Sequence, residues 1–458
     1  MAGLFSSLSN AAQSLDAQRY GLDVTGQNIA NLNTEGYARR RLDLAERMPI
    51  NGVGGVEVVG VRAARDQFVD QRLRNELPAE SHDSAMASAL SVIETSLGTT
   101  GKSIDGALSS LFAAFSSLSL DPQSAVARDA IVLQGSRLAT AFNEMSVRLD
   151  DSLAQADRDV RGSVDQINTL AQTIASLNQQ IGDAPTGADI EPLRDRLDLA
   201  VQNLAKITDV NVITHPNGTA DIAIGGGRAL VVGRSNYDLE ITNAAGTGLA
   251  EVRADGVDIT ASLTGGAIGG QLAIRDQIVP DYKQRLDQLA YDVGTQFNAV
   301  HTSGFDLNGN TGPLLYLPLA TVQGSAAALE FNPAIASDTS LIAASSTGSP
   351  GDNGGAKALA DLRTQAVANG GTATFTQSWS QLVNKVGTDS ANARNSLQTR
   401  QDVVSAIQKL RDSVSGVSLD EEAGRLMQFQ RAYEANARYF AAIDSSLSVL
   451  MSTFGVPR

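Results

Sequence analysis

Apolar residues recur every seven positions at both ends of the chain. At the start the series is Met1, Leu8, Leu15, Leu22 and Ile29, with Leu4, Ala11 and Leu32 beside it. At the finish it is Leu419, Leu426, Tyr433, Phe440, Leu447 and Phe454, with Phe429, Ile443 and Leu450 in a companion seam. A sustained seven-residue repeat keeps one narrow stripe on one side of a helix, the pattern of helices that wind around one another. Terminal segments usually fray. Here they carry the longest regular stripes, so Leu4, Leu8, Leu15, Leu22, Ile29, Leu419, Leu426, Tyr433, Phe440, Leu447 and Phe454 are expected to form an assembly interface. Two such helices packed only on each other are marginal, so these ends are expected to be disordered in the monomer and to fold during polymerisation.

Between the ends the pattern changes several times. The first helix stops at Asn31-Leu32-Asn33-Thr34-Glu35-Gly36-Tyr37, where Asn and Gly supply helix-ending conformations. A short basic segment and a strand over Gly52–Val59 follow, then helical periodicity over Gln67–Leu97 and Ile104–Leu120. Asp121-Pro122 predicts a helix start. From there apolar residues three or four apart run to Ile181, a rod of roughly 60 residues and about 90 Å, divisible at Gly135 and Gly162. A helix over Glu191–Ile207 is expected to pack back on it. Short β-branched runs between turn residues predict strands over 208–269. Helical period resumes from Tyr282 to Val300, 304–375 is mixed, and helices over about 389–415 and 419–454 finish the chain. Ser418-Leu419-Asp420-Glu421 reads as a capping box, with Asp420, Glu421 and Glu422 suited to the helix dipole.

The expected fold class is α+β, mainly α, with discontinuous nested domains. Residues 1–36 with 416–458 form a terminal coiled-coil layer. Residues 37–207 with 270–415, including the mixed 304–375, form a mainly helical body, and 208–269 forms a small outer β domain.

Composition narrows the function. The 458 residues are 42% hydrophobic, enough for sizeable cores, and carry a net charge of −15. That charge argues against a nucleic-acid partner; the nearest basic run, Arg39-Arg40-Arg41, is expected to be offset at once by Asp43 and Glu46. The absence of cysteine excludes disulfides, thiolate metal sites and cysteine nucleophiles. The N-terminus lacks the basic flank and apolar core of a cleaved signal. The longest uncharged apolar run, Gly106–Leu120, is too short and too rich in serine to span a bilayer, so no membrane insertion is expected.

Candidate chemistry is thin. Gly98-Thr99-Thr100-Gly101-Lys102-Ser103 lacks the first glycine of a phosphate loop, since Ser96 stands there. Asp306-Leu307-Asn308-Gly309-Asn310-Thr311-Gly312 begins like a calcium loop, but Thr311 and Leu317 occupy the positions that require Gly and Glu; an Asx-type turn is expected. Gly225-Gly226-Gly227 reads as a hairpin turn. His82, His215 and His301 have no ligand spacing. No catalytic, metal-binding or cofactor-binding residue is expected, and no cofactor.

The ends also carry a resemblance. Asn28-Ile29-Ala30-Asn31-Leu32-Asn33-Thr34-Glu35-Gly36-Tyr37 resembles the N-terminal motif of the flagellar rod, hook and hook-associated axial proteins, with Asn31, Asn33, Thr34, Gly36 and Tyr37 as its turn residues. Ser415-Gly416-Val417-Ser418-Leu419-Asp420-Glu421-Glu422-Ala423 and Gln428–Arg438 resemble their C-terminal motif, in the wording used by the subunits of the hook–filament junction. Arg194–Leu199, Gly304–Asn310 and Gly351-Asp352-Asn353 agree in the middle. The resemblance implies a structural protein, not an enzyme, exported without a cleaved signal peptide through the flagellar type III channel. It implies an extracellular location in the bacterial flagellum, a homo-oligomeric ring zone, and contacts with hook protein and a second junction protein toward the filament. It further implies an export chaperone on the C-terminal helix. The chain is shorter than the larger members, which implies that an additional outermost domain is missing. Alternatives are a flagellar hook or rod subunit, or a secreted coiled-coil adhesin.

Overall fold

A computed structural model describes residues 2–50, 53–97, 103–185 and 189–453. Met1, Phe454 and residues 98–102 of the glycine-rich loop lie outside these. The chain begins with helix α1 (Ala2–Ala30). Two 11-residue strands follow, β1 (Arg40–Ile50) and β2 (Val53–Ala63), paired antiparallel from Arg40↔Ala63 with a register shift at Asp43/Leu44. The strand expected behind Gly52 is thus the second arm of a hairpin, whose first arm includes part of the basic segment.

Helices α2 (Gln67–Leu97) and α3 (Ile104–Leu120) occupy the spans that periodicity predicts. Helix α4 (Ala125–Gly182) has 58 residues, so about 87 Å of unbroken rod. It starts three residues later than expected: the Ser124 hydroxyl, not Asp121, caps it by accepting the Ala127 N–H. Asp121 instead accepts the Gln123 N–H in the preceding turn. The rod does not divide at its glycines. At Gly135 a Cβ would stand 2.5 Å from the Phe331 ring, so the glycine admits close packing.

Helix α5 (Glu191–Ile207) packs back on the rod, burying Leu197 and Leu204. Two antiparallel sheets follow. One is β3 (Asn211–Thr214), β4 (Ala220–Ile224), β5 (Arg228–Val232) and β6 (Ser235–Asn236); the other is β7 (Glu240–Asn243), β8 (Ala250–Ala254) and β9 (Val257–Asp258). All three of Gly225, Gly226 and Gly227 have positive φ in the β4–β5 turn, which explains the glycine run. Helix α6 (Gly266–Ala273) leads through a π-helical turn (Ile274–Ile278) into α7 (Val279–Ser303). Short helices α8 (Ser325–Ala328), α9 (Pro333–Ser337) and α10 (Gly354–Asp361) punctuate the mixed stretch. There Asp306 Oδ1 accepts the Asn308 and Asn310 N–H groups, the expected Asx-type arrangement.

Helix α11 runs from Phe375 to Ser415 and α12 from Leu419 to Thr453. The sequence placed the start of α11 near 389. The reason for the difference is a capping box, overlooked in the sequence, between Thr374 and Gln377.

Two large cores share the rod. The inner one gathers α3, the first half of α4, α7, α10 and α11 around Phe297, whose ring stacks on Phe112, Phe115 and Phe375 at 5.7, 5.9 and 6.0 Å. The outer one joins the second half of α4 and α5 to both sheets and α6. Where they meet, buried Arg275 on the π turn donates to Asp157 Oδ1 at 2.9 Å and to the Ala250 carbonyl at 2.8 Å.

His301 is fully buried, donating from Nδ1 to the Pro313 carbonyl at 2.6 Å while Nε2 accepts the Ala343 N–H at 2.9 Å. Burial lowers its pKa to about 4, against an ordinary 6.5. The unfolded chain therefore binds a proton that the folded chain refuses, and stability should fall as pH drops from about 6.5 to about 4, by about 3 kcal/mol in all. Urea titrations of wild type and His301→Gln at pH 7 and pH 4.5 test this. The substitution should shrink the difference between the two pH values.

A candidate assembly interface where the termini meet

Contrary to the expectation of disordered ends, helices α1 and α12 are both formed in the single chain. The polar contacts of Asn28 and Glu422 and the Ala11–Ile443–Leu447 cluster hold them together, antiparallel. Asn28 meets Glu422, Gly21 faces Phe429, and Ala11 clusters with Ile443 and Leu447. A Cβ on Gly21 would stand 2.5 Å from the Phe429 ring. The side of α1 that is buried carries Ala11, Ala17, Gly21, Val24, Thr25 and Asn28, mostly small residues that let helices approach closely. The large apolar series is only half-covered: Leu4, Leu8, Leu15, Leu22 and Ile29 are each intermediate in exposure. On α12, Leu447 is buried, Leu426 and Phe440 are half-buried, and Leu419 and Tyr433 stay 52% and 39% exposed. Phe454 lies outside the described residues.

The turn after α1 is built from the motif residues. The Asn31 side chain donates to the Gln27 carbonyl at 2.9 Å, closing the helix. The Thr34 hydroxyl donates to Asn31 Oδ1, and the Tyr37 N–H to the Thr34 carbonyl. Gly36 sits at φ +80°, with any Cβ only 3.2 Å from the Leu199 Cβ of α5. Asn33 is exposed beside it. Alanine at Gly36 would suffer the left-handed penalty of about 1–2 kcal/mol, plus crowding against α5. Gly36→Ala should therefore raise amide exchange around residues 28–40 while leaving that of α4 unchanged.

This turn delivers Tyr37, Arg39 and Arg40 to a buried polar knot. Asn28 uses its whole side chain: Nδ2 donates to the Arg40 carbonyl and Glu422 Oε2, both at 2.9 Å, and Oδ1 accepts from the Tyr37 hydroxyl and the Arg40 N–H. Glu422 is 0% exposed. Its Oε1 accepts Arg39 Nε at 2.7 Å, and Arg39 Nη2 lies 2.6 Å from Glu422 and 2.7 Å from Glu421. The Arg39 backbone donates to the Ser415 carbonyl at the end of α11 and accepts from Ala64 beyond β2. Arg40 stacks over the Tyr37 ring and reaches Asp195 of α5 at 3.1 Å and Asp189 at 3.4 Å. Arg65 closes on the other Asp195 oxygen at 2.5 Å.

Burial pushes the Tyr37 hydroxyl up to about 12, so it stays protonated as a donor. Burial works against the Arg39 charge, but the carboxylates of Glu422 and Glu421 outweigh it and hold its pKa above the usual arginine value. A paired, buried ion of this kind gives definite geometry more than net stability. The knot can fix the direction in which the terminal pair leaves the body. Asn28 and Glu422 are satisfied within the knot, whereas Arg40 Nε is buried without a hydrogen-bond partner.

Several expectations need correcting. Arg39 and Arg40 are not offset by Asp43 and Glu46: their partners are Glu421, Glu422, Asp189 and Asp195, whereas Asp43 pairs with Arg62. Glu421, expected to complete a capping box at Ser418, is drawn to Arg39. Sequence reasoning missed Asn28 and Glu422 as paired residues. A signal existed: Glu422, Phe429, Asn436, Ile443 and Leu450 are spaced by sevens, so a carboxylate occupies a seam position. Among the described residues no cluster of His, Cys, Asp and Glu could hold a metal ion, and no helix is long and apolar enough to cross a membrane.

Comparison with known proteins finds similarity at both termini and through the middle of the chain. Residues 90–316 match the profile of the flagellar hook-associated protein FlgK helical domain. Residues 411–453 match the flagellar basal body rod FlgEFG protein C-terminal profile, and 8–37 match the flagella basal body rod protein profile. Flagellar hook-associated protein 1 of Escherichia coli (strain K12) is 27% identical, over 97% of this chain and 99% of its own. The Bacillus subtilis protein of that name is also 27% identical, over 100% of this chain and 99% of its own. The structure of the flagellar hook junction protein FlgK from Burkholderia pseudomallei superposes with a TM-score of 0.67 at 17% identity, covering 75% of this chain and all of that one. That likeness shows the fold.

Proposed function

The chain belongs to the flagellar hook-associated protein family, structural subunits of the hook–filament junction, and from that premise we propose how its termini serve that role. Residues 1–36 and 416–458 act as the assembling layer. The knot of Asn28, Tyr37, Arg39 and Glu422 sets the angle of the α1–α12 pair. The half-covered residues Leu4, Leu8, Leu15, Leu22, Ile29, Leu426 and Phe440, with exposed Leu419 and Tyr433, meet the same surfaces of neighbouring copies. Asn31, Asn33, Thr34, Gly36 and Tyr37 shape the turn that separates this layer from the body. The helical body and the β strands of 208–269 stand outward from it.

The observation that carries this reading is the mismatch between the two helices. Small residues of α1, Ala11 and Gly21, meet Ile443, Leu447 and Phe429 of α12, while Leu15, Leu22, Ile29 and Leu426 stay half-covered and Leu419 and Tyr433 stay exposed. Apolar area left in water at about 25 cal/mol per Å² favours a further partner. The partners are other copies in a ring zone, hook protein below, a second junction protein above, and before assembly a chaperone on α12. The chain leaves the cell without a cleaved signal and does its work extracellularly, in the flagellum. The test is electron microscopy of appendages from a strain lacking this gene. Complete hooks without filaments are expected, and plasmid-borne wild type should restore filaments. Normally attached filaments in the deletion strain would sink the proposal.

A further inference from the structure

Helices α2 and α11 run antiparallel, tied by Arg411–Asp70 at 3.3 Å, Arg400–Glu76 at 3.3 Å and Arg394–Glu94 at 3.2 Å. At the end nearest the knot the pair has two unlike sides. One side projects Phe68, 85% exposed, with exposed Leu410 and Val414 on the matching face of α11. At about 100° per residue, Leu73 and Leu77 of α2 and Gln408, Asp412 and Ser415 of α11 point the other way. These residues line a recess of about 700 Å³ between the turn at 31–37, α5 and the start of α12. Exposed Leu32 and half-buried Leu199 are on its wall, with Leu73 and Leu77 almost fully covered behind it. Its rim carries exposed Glu35 and Asp412, with Lys206 on one wall, while exposed Arg72 follows Phe68 by about one turn.

We infer that Phe68 of one copy seats in the recess of the next copy around the ring. The inference rests on the reading that the chain assembles with itself. Closed rings and helical tubes of one chain need a head-to-tail contact between two different, complementary patches. The observations supply both halves: an aromatic projection with a cation beside it, and on the opposite face a largely polar recess, walled in part by Leu32 and Leu199, with the exposed carboxylates of Glu35, Asp412 and Glu421 around it. Both patches adjoin the terminal pair, so the contact continues the seam interface outward onto the body. An aromatic side chain inserted in a pocket is also the usual anchor of such an interface.

The chain has no cysteine, which makes the test direct. Gln71→Cys places a thiol beside Phe68 and Gln408→Cys places one at the recess; both positions are exposed. The two single variants are co-expressed in a strain lacking the wild-type gene, and isolated appendages are mildly oxidised. Incorporation of the wild-type chain into appendages, scored in parallel, reads the assembly proposal independently. With incorporation established, a disulfide-linked dimer only when both variants are present, and a ladder from the double variant, are the expected results. Dimers of Gln71→Cys with itself, or no cross-linking in properly assembled appendages, would overturn the contact. Phe68→Asp should lower the fraction of cells bearing filaments at least tenfold without shifting the thermal midpoint of the isolated chain. Full filamentation in that variant would also overturn it.

Discussion

Replacing Glu422 by alanine should release the terminal pair from the body while leaving both large cores intact. The substitution strips Arg39 of its buried partner and removes an acceptor from Asn28. Leaving one member of a buried ion pair behind costs about 3–5 kcal/mol. Only exposed Glu421 stays within reach of Arg39. The loss falls on a local unit, because Phe297 and its neighbours lie in a different core. Amide exchange should therefore rise sharply in α1, the β1–β2 hairpin and the first turns of α12, and hardly at all in α4. The isosteric Glu422→Gln keeps the shape but loses the charge opposite Arg39, so it should fall between alanine and wild type. Uniform protection in the alanine variant would show that the knot holds nothing in place.

The second large effect concerns assembly rather than stability. Tyr433 is 39% exposed on α12, in register with Leu426 and Phe440. Tyr433→Asp takes little from the single chain, since surface substitutions usually change stability by within about 0.5 kcal/mol. In a ring, however, each copy would bring an unpaired carboxylate into an apolar seam, at several kcal/mol per copy. The expected outcome is near-normal melting of the purified chain and bare hooks in cells that express it. Swimming at wild-type speed would place Tyr433 outside the interface. Phe440→Asp is a less clean probe, because Phe440 already packs on Ala11, Ile443 and Leu447.

Much of the fold is legible in the sequence because helices of this length advertise their periodicity. The spans of α2, α3 and α5 and the length of α4 follow from apolar spacing and turn residues alone. The start of α11 did not, because its cap depends on one Thr–Gln exchange that a composition-rich loop conceals. Only the second arm of the hairpin is legible: Arg40 and Arg41 open β1, and charges at the base of a strand look like linker. The hardest part was the knot. Seven-residue spacing finds apolar seams and passes over polar members, so it conceals Glu422, which holds a seam position, and Asn28, which follows Ser7, Ser14 and Gly21 outside both apolar series. The motif residues form the expected turn, and that turn also brings Tyr37 back to Asn28, nine positions away, and Arg39 to Glu422, 383 positions away.

That distance has a kinetic meaning. Asn28 and Glu422 are separated by 394 positions, among the most distant contacts a chain of this size can make. Closing so long a loop is slow and cannot precede arrival of the last helix, whichever end leads. Until then Arg39 and its carboxylate partners stay hydrated and apart, and the leading segment has nothing to clasp. The contact thus acts as a completion signal: a truncated or half-delivered chain can fold its middle, but it cannot orient its ends.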